Sequence, residues 1–304
     1  MKKLTIAAAA LLFSAAMLAQ TSAEEFKARY ERQARMVGAD GVGVETILDR
    51  WEEAFPDDTR MLEGRYKYYF AKSAESGVVT RDSRRYLGRE PVFSLKDSTG
   101  NDVFYFEDNV FVDSLFALSQ SAIDRAISLE PEELAFRVDK ITALMLYEKE
   151  SPDMASAELL KLISFQKDSR PEWTYYGMAV DEETFKQTVQ EYCYNLFRTA
   201  SPGSYEAFRA VTEAMLKLYP KDTALMNNMG SYWLVAKQNN RQALKWYNKV
   251  LKINPKDYNA AKNCVIMARK DKNTRLEKKY LPALIEATEN EAEKESYRIR
   301  LKNL

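Results

Sequence analysis

The chain contains no histidine among its 304 residues. Without an imidazole, Ser-His-Asp and Cys-His nucleophiles are excluded, and so are zinc and iron sites built on histidine ligands. Catalysis would have to rest on carboxylate, Lys, Tyr, Ser or Cys side chains. This absence lowers the expectation of an enzyme before any motif is considered, and we predict a protein without catalytic activity and without a cofactor or metal.

The chain also lacks an excess of charge of one sign, and it has little cysteine. Lys and Arg together number 45, as do Asp and Glu. Nothing therefore predicts the basic surface that nucleic-acid binding needs. The two cysteines, Cys193 and Cys264, fall in helical patterns, where cysteine behaves as a small buried hydrophobe. An even count also permits a disulfide in an oxidising compartment, so both states stay open.

Long apolar runs are missing except at the N-terminus. Residues 1–23 place Lys2 and Lys3 ahead of an uncharged apolar stretch and end in small residues up to Ala23. This arrangement is typical of a secretory signal peptide, and the apolar stretch is short for a transmembrane helix. We expect cleavage after Ala23, no integral membrane segment in the mature chain, and a periplasmic or secreted location.

Apolar residues recur at helical spacing through most of the chain, which predicts an all-α fold. One interruption lies at about 91–107, where two β-prone runs flank the turn-rich sequence KDSTGND and predict an inserted β-hairpin. A second interruption is the sequence PEWTYYGM at 171–178. Because helices this short bury a core only by stacking as antiparallel hairpins, we predict a single helical domain over 24–304.

The clearest internal motif lies at 222–256. Gly230 and Ala243 are small enough to let two helices approach closely, Tyr247 fills the seam between them, and Pro255 ends the second helix. With methionines and a tryptophan on the first helix, this pattern resembles a tetratricopeptide repeat. The resemblance implies a superhelix of helical hairpins, and a role in binding a protein or peptide without transforming it.

The resemblance is incomplete and partly repeated. Met226 stands where the family has tryptophan, and the turn at 237–240 is one residue longer than the family pattern. The segment 55–70 aligns with 219–234 as a worn copy, FPDDTRMLEGRYKYYF against YPKDTALMNNMGSYWL. Outside the clear repeat, a plain helical bundle is the alternative.

The resemblance also implies candidate binding residues, because the first helix of each repeat usually lines the groove. On this basis the candidates are Asn227, Asn228 and Ser231, with Lys262 and Asn263 on the next helix. Two asparagines and a lysine resemble part of the clamp with which chaperone-binding members hold a peptide carboxylate. Solvated polar helix faces are the alternative.

A second candidate group is aromatic and comprises Trp173, Tyr175 and Tyr176. Such clusters stack on sugars or peptide side chains, and they also fill gaps between helices. A carbohydrate-binding accessory protein, with a glycan as partner, is therefore the alternative function. A carboxylate-based hydrolase is a third hypothesis, and it needs two acidic side chains about 5–10 Å apart in one cleft. The function we predict is a non-catalytic scaffold of the cell envelope for an unknown protein or peptide.

Overall fold

The computed structural model describes residues 22–304, which contain thirteen α-helices and five short strands. This confirms an all-α fold with an inserted β-hairpin. The contacts divide the described chain into two compact units, the first made of residues 22–79, 107–143 and 173–178 and the second of 80–106, 144–172 and 179–304. The single domain over 24–304 stays a prediction. The predicted signal peptide at 1–23 lies almost wholly outside the described residues.

The first unit is a helical core. Its helices are α1 (Ala23–Val37), α2 (Val44–Ala54), α3 (Thr59–Ser73), α4 (Asp113–Leu129) and the first part of α5 (Leu134–Glu148). Helix α3 packs along α4, and Leu48, Trp51, Met61 and Ile123 are almost completely buried in this unit. Burial of large apolar side chains is the main stabilising term, at roughly 1.5–3 kcal/mol each.

Strand β1 (Ala74–Arg81) follows α3 directly, and β2 (Phe93–Lys96) and β3 (Asp102–Phe111) complete a sheet in the order β1-β3-β2. The hairpin predicted at 91–107 is β2–β3, with Phe93 paired to Tyr105. Asp97 holds its turn, because the carboxylate accepts the backbone N–H of Thr99 at 2.8 Å and of Asn101 at 2.9 Å. The sequence did not predict β1, because no turn residue separates this strand from helix α3.

The second unit continues with helices packed as consecutive pairs. Its helices beyond α5 are α6 (Asp153–Ser169), α7 (Glu182–Thr199), α8 (Pro202–Leu218), α9 (Thr223–Ser231), α10 (Asn240–Ile253), α11 (Tyr258–Lys270), α12 (Thr274–Ala287) and α13 (Glu291–Lys302). The pairs α7–α8, α9–α10 and α11–α12 are in contact. Helix α12 continues as one helix through Pro282.

One tight turn recurs before α3, α9 and α11. In each case the residue before a proline donates its N–H to a helix carbonyl at 2.8 Å, and an aspartate two residues after the proline caps the next helix. The capping aspartates are Asp58, Asp222 and Asp257, with φ between −73° and −71° and ψ between 107° and 116°. The alignment of 55–70 with 219–234 therefore corresponds to the same turn and the same helix start, although 232–234 are π-helical and 68–70 are α-helical.

The α9–α10 pair shows why the predicted repeat needs its small residues. A Cβ atom placed on Gly230 would lie 2.4 Å from Cε1 of Tyr247, which is far inside van der Waals contact. Ala243 and Tyr247 are completely buried, and Trp233 packs against the same cluster while remaining half-buried. The predicted seam between the two helices is therefore present.

A π-helical segment, Tyr232–Ala236, follows α9. Lys237 donates its N–H to the carbonyl of Tyr232 at 3.2 Å, five residues back, and Asn239 donates to Trp233 at 2.7 Å. A π turn holds more residues than an α turn, so it absorbs the extra residue noted at 237–240. The α-helix that begins at Thr223 therefore ends at Ser231, and the chain continues as π-helix to Ala236.

None of the helices between residues 22 and 304 is both long and apolar enough to cross a membrane. Cys193 and Cys264 are free thiols in the second unit, and both are buried. Burial raises the pKa of each thiol to about 12.

Candidate functional site

The aromatic interruption at 171–178 forms a tight hairpin in the first unit. Strands β4 (Thr174–Tyr175) and β5 (Met178–Ala179) are joined by Tyr176 and Gly177, whose φ angles are 50° and 77°. Two successive positive φ angles are typical of a type I′ turn, in which a side chain at the first position is strained. The turn leaves Tyr175, Tyr176 and Met178 exposed.

The carboxylate of Glu133 anchors the backbone of this turn. Its carboxylate is 3% exposed, and it accepts the backbone N–H of Tyr176 at 2.8 Å and of Gly177 at 3.2 Å. Arg60 adds an ion pair at 3.1 Å. Burial raises the pKa of Glu133, but these hydrogen bonds outweigh it, and the pKa lies below its usual value. Glu133 is therefore a buried carboxylate that stays ionised and anchors the turn backbone.

Glu63 on α3 holds the Tyr176 side chain. Its carboxylate accepts hydrogen bonds from the Tyr176 hydroxyl at 3.2 Å, from Arg60 at 3.1 Å and from Lys67. Burial and the Glu63 charge raise the pKa of Tyr176 to about 12, so the phenol stays protonated and remains a donor. Arg60, Glu63 and Lys67 share one face of α3, because they are three and four residues apart.

A cavity of about 190 Å³ opens beside the turn. It is lined by Lys27, Tyr30, Glu31, Trp51, Arg60, Glu63, Gly64, Lys67 and Tyr176. Gly64 is required by close packing, since a Cβ there would lie 2.8 Å from Cδ2 of Leu48. Sites for cofactors and drug-sized ligands occupy about 300–1,000 Å³, so this cavity fits a single side chain better than a cofactor.

Two of the lining groups have hydrogen-bonding capacity to spare. Lys67 gives one of its three N–H groups to Glu63, and the Tyr30 phenol donates to no residue between 22 and 304. Burial lowers the pKa of Lys67, but the Glu63 charge outweighs it and the pKa lies above its usual value. At the rim, Lys27 and Glu31 form a loose ion pair at 4.0 Å. The cavity thus offers a fixed cation and a free hydroxyl.

Asp139 on α5 is close enough to Lys67 and Glu63 to interact with them electrostatically. Its Oδ2 atom is buried and has no hydrogen-bond partner among the described residues. Burial raises the pKa of Asp139 to about 6, Lys67 opposes that shift and Glu63 adds to it. This carboxyl group therefore changes its charge in a pH range where ordinary carboxylates do not. No group of Cys, Asp and Glu between residues 22 and 304 is placed to hold a metal ion.

The predicted aromatic group is brought together in this turn, in two different environments. Trp173 is 3% exposed, and the Arg137 guanidinium lies 5.6 Å from its ring centroid. The rings of Tyr175 and Tyr176 are exposed and meet edge to face at 5.1 Å. Only Tyr176 of the three lines the cavity.

The predicted groove residues lie on α9 and α11 of the second unit, and most are engaged with neighbouring helices. Asn227 donates to Asp257 at 3.1 Å, Asn228 exchanges two hydrogen bonds with Gln190, and the Ser231 hydroxyl lies 3.3 Å from that of Tyr247. Lys262 donates to Tyr258 on its own helix at 2.7 Å. Asn263 is half-buried on α11. The Oδ1 atom of Asn227 is buried without a partner among the described residues.

Sequence reasoning missed the cavity residues, although the alignment contained the signal. Asn227, Asn228 and Ser231 lie five, six and nine residues after the capping Asp222. The same positions after Asp58 are Glu63, Gly64 and Lys67, which all line the cavity. The groove positions of the repeat at 222–256 thus correspond to cavity-lining positions in the aligned segment 55–70.

Neither the comparison with protein-family models nor the search of curated proteins finds a match for this chain.

Proposed function

We propose that this chain is a non-catalytic scaffold of the cell envelope that binds a protein or peptide. The observation that carries the proposal is the turn holding Tyr175 and Tyr176, which is anchored by buried carboxylates and yet exposes its aromatic side chains. Burying Glu63 and Glu133 is costly for stability unless their partners compensate. Exposed, pre-positioned tyrosines gain a stabilising role only when a partner covers them.

The cavity beside the turn supports the same proposal. Aromatic anchors in protein interfaces commonly lie next to a pocket that takes one side chain of the partner. The cavity has the size for such a side chain, and Lys67 and Tyr30 supply polar groups that would orient it. Its position on α3 corresponds to the groove positions predicted on α9.

The N-terminal sequence supports the location. Its positive start, apolar centre and small residues up to Ala23 are those of a signal peptide. Mass spectrometry of the protein recovered from its native compartment tests this part. A mature N-terminus at Glu24 is expected, and an intact Met1 would contradict it.

Photocrosslinking tests the binding function directly. A photoreactive residue at Met178 is expected to give a saturable adduct in native extracts, whereas one at the exposed loop residue Val42 is not. Tyr176→Ala should abolish the adduct at 178, because it removes the exposed ring and its bond to Glu63. Absence of a saturable adduct, together with measurable turnover by the purified protein, would refute the proposal.

The glycan alternative has one supporting observation, the exposure of Tyr175 and Tyr176. Their rings stand at 82° to each other, and Trp173 is buried, so they do not form one flat stacking platform. A glycan array with Tyr176→Ala as the comparison separates the two functions. Signal that disappears in the variant would favour a sugar, and a blank array would remove this alternative.

A further inference from the structure

Four helices of the second unit lie side by side. Gln190 on α7 bonds Asn228 on α9 at 2.9 Å, Asn227 on α9 bonds Asp257, the N-cap of α11, at 3.1 Å, and Tyr258 on α11 bonds Glu293 on α13 at 3.0 Å. Each of the four helices begins at an Asp or Asn N-cap. Corresponding positions can therefore be counted from the caps.

Helices α7, α11 and α13 and the π-helical segment that continues α9 each expose one large apolar side chain. The residues are Tyr194, Val235, Ile266 and Ile299, which are 46–56% exposed. We name them the apolar row. Tyr194 and Val235 lie thirteen residues after their N-caps, and Ile266 and Ile299 lie nine after theirs. Nine and thirteen are one α-helical turn apart, so Tyr194, Ile266 and Ile299 lie on corresponding helix faces, and Val235 lies on the π-helical segment that continues α9.

Single exposed apolar residues need no explanation, but this row is repeated. Soluble proteins scatter such residues over their surfaces. Here one recurs on three neighbouring helices and on the π-helical segment that continues the helix between α7 and α11, and contiguous apolar patches mark interaction sites. The apolar row is therefore a candidate interaction surface of the second unit.

A row of cations borders it on the side of the helix C-termini. Arg198, Lys237, Lys270 and Lys302 lie two to four residues beyond the members of the apolar row. Lys237 is paired with Glu206 at 2.7 Å. The other three form no ion pair with any residue between 22 and 304. These unpaired cations favour a partner with acidic residues beside its apolar ones.

We infer that the apolar row binds an amphipathic α-helix of a partner protein whose apolar stripe is bordered by acidic residues. The inference rests on the proposed function and names the partner chemistry for a second surface. Packed helix axes lie about 8–10 Å apart, which sets the spacing along the row. Residues seven apart on a helix are about 10.5 Å apart on one face. A β-strand repeats its side-chain direction about every 6.7 Å and fits this spacing less well.

Synthetic probes test the inference with the purified full chain. The first probe is a fluorescent 21-residue amphipathic helix with Leu at heptad spacing and Glu beside the stripe. The second replaces every Glu by Lys, and the third keeps the first composition but carries two central prolines that break the helix. We expect anisotropy titrations to show saturable binding of the Glu probe, at least about tenfold weaker binding of the Lys probe, and none of the proline probe.

Variants locate the site. Ile266→Ser with Ile299→Ser should weaken the Glu probe at least about tenfold, and Lys270→Glu with Lys302→Glu should reverse the preference toward the Lys probe. Leu118→Ser is the matched control, because Leu118 is 47% exposed on α4 of the first unit. It should leave binding unchanged. Circular dichroism checks that every variant is folded.

The outcomes separate this inference from the proposed function. Equal binding of the proline probe, or loss of binding in Leu118→Ser alone, would overturn the helical partner or its location. A dimer in sedimentation that dissociates in the Ile266→Ser, Ile299→Ser variant would show that a second copy covers the row instead. The crosslink at Met178 involves the first unit only, so either result can fail without the other.

Discussion

Gly230 packs directly against the ring of Tyr247. A Cβ atom on Gly230 would lie 2.4 Å from that ring, so the close approach requires glycine. Tyr247 is fully buried in the core of the second unit, and it belongs to a cluster of buried residues that lie on four helices. Space for one additional methyl group is therefore absent at this point of the seam.

Gly230→Ala should destabilise the protein, although alanine is the better helix former by about 1 kcal/mol. We expect overpacking to dominate and to lower the free energy of unfolding by about 1–3 kcal/mol. Urea denaturation measures the change. Tyr247→Leu provides the control, since its smaller side chain should remove most of the additional cost of alanine at 230. A stabilised Gly230→Ala variant would show that the ring can move aside.

Glu133→Gln should destabilise the first unit and release the aromatic turn. The amide keeps one oxygen, but it presents an N–H group where Glu133 accepts hydrogen bonds from Tyr176 and Gly177, and it leaves Arg60 with one ion pair fewer. We expect a loss of about 2–4 kcal/mol, because the pair is buried.

Hydrogen exchange gives a local measure of that loss. In Glu133→Gln, the amides of Tyr176 and Gly177 should exchange faster than the loss of global stability alone explains. Glu132→Gln is the matched control, because the Glu132 side chain is exposed. Unchanged exchange at both amides would mean that the turn is held by its own strands.

Asp139 should make the stability depend on pH between about 4 and 6. Burial raises its pKa to about 6 from an ordinary value of 3.8, so the folded state binds its proton more tightly than the unfolded state. The free energy of unfolding should therefore fall as the pH rises through this window and level off above it. The contribution is at most about 3 kcal/mol at 1.36 kcal/mol for each pKa unit.

Asp139→Asn isolates this contribution from that of the other carboxylates. The difference in unfolding free energy between variant and wild type should grow in favour of the variant from pH 4 to pH 6. If the unfolding free energies of Asp139→Asn and of the wild type change in parallel from pH 4 to pH 6, the raised pKa of Asp139 is contradicted.

Ala200→Gly should stabilise the second unit. Ala200 ends α7 with φ of 60° and ψ of 22°, a left-handed conformation that costs an L-residue about 1–2 kcal/mol. We expect a gain of about 0.5–1 kcal/mol after the larger entropy loss of glycine is included. Thermal unfolding measures it, and Ala210→Gly in the middle of α8 should show the opposite sign.

Local signals in the sequence predicted much of the fold. Helix α3 begins directly after Asp58 and α7 directly after Asp181, two aspartates at N-cap positions that favour this residue type. The hairpin β2–β3 follows from its turn sequence. These features depend on residues close together in the chain, which is why they can be predicted from it.

The candidate site depends on pairs that are distant in sequence. The Tyr176 hydroxyl bonds Glu63 across 113 residues, and the Tyr176 N–H bonds Glu133 across 43. No periodicity or motif joins such partners. The aromatic residues were identified as a group, and the alignment placed Glu63 and Lys67 at groove positions, but the anchoring of Tyr176 by Glu63 and Glu133 could not be predicted from spacing.

The buried thiols have a consequence for handling the chain in an oxidising compartment. Only the thiolate exchanges disulfides, and with a pKa of about 12 its fraction at neutral pH is on the order of 10⁻⁵ for Cys193 and Cys264. Folded molecules are therefore shielded from covalent crosslinking to one another, both chemically and by burial. The amount of disulfide-linked oligomer in a preparation would therefore report the fraction of molecules that had unfolded.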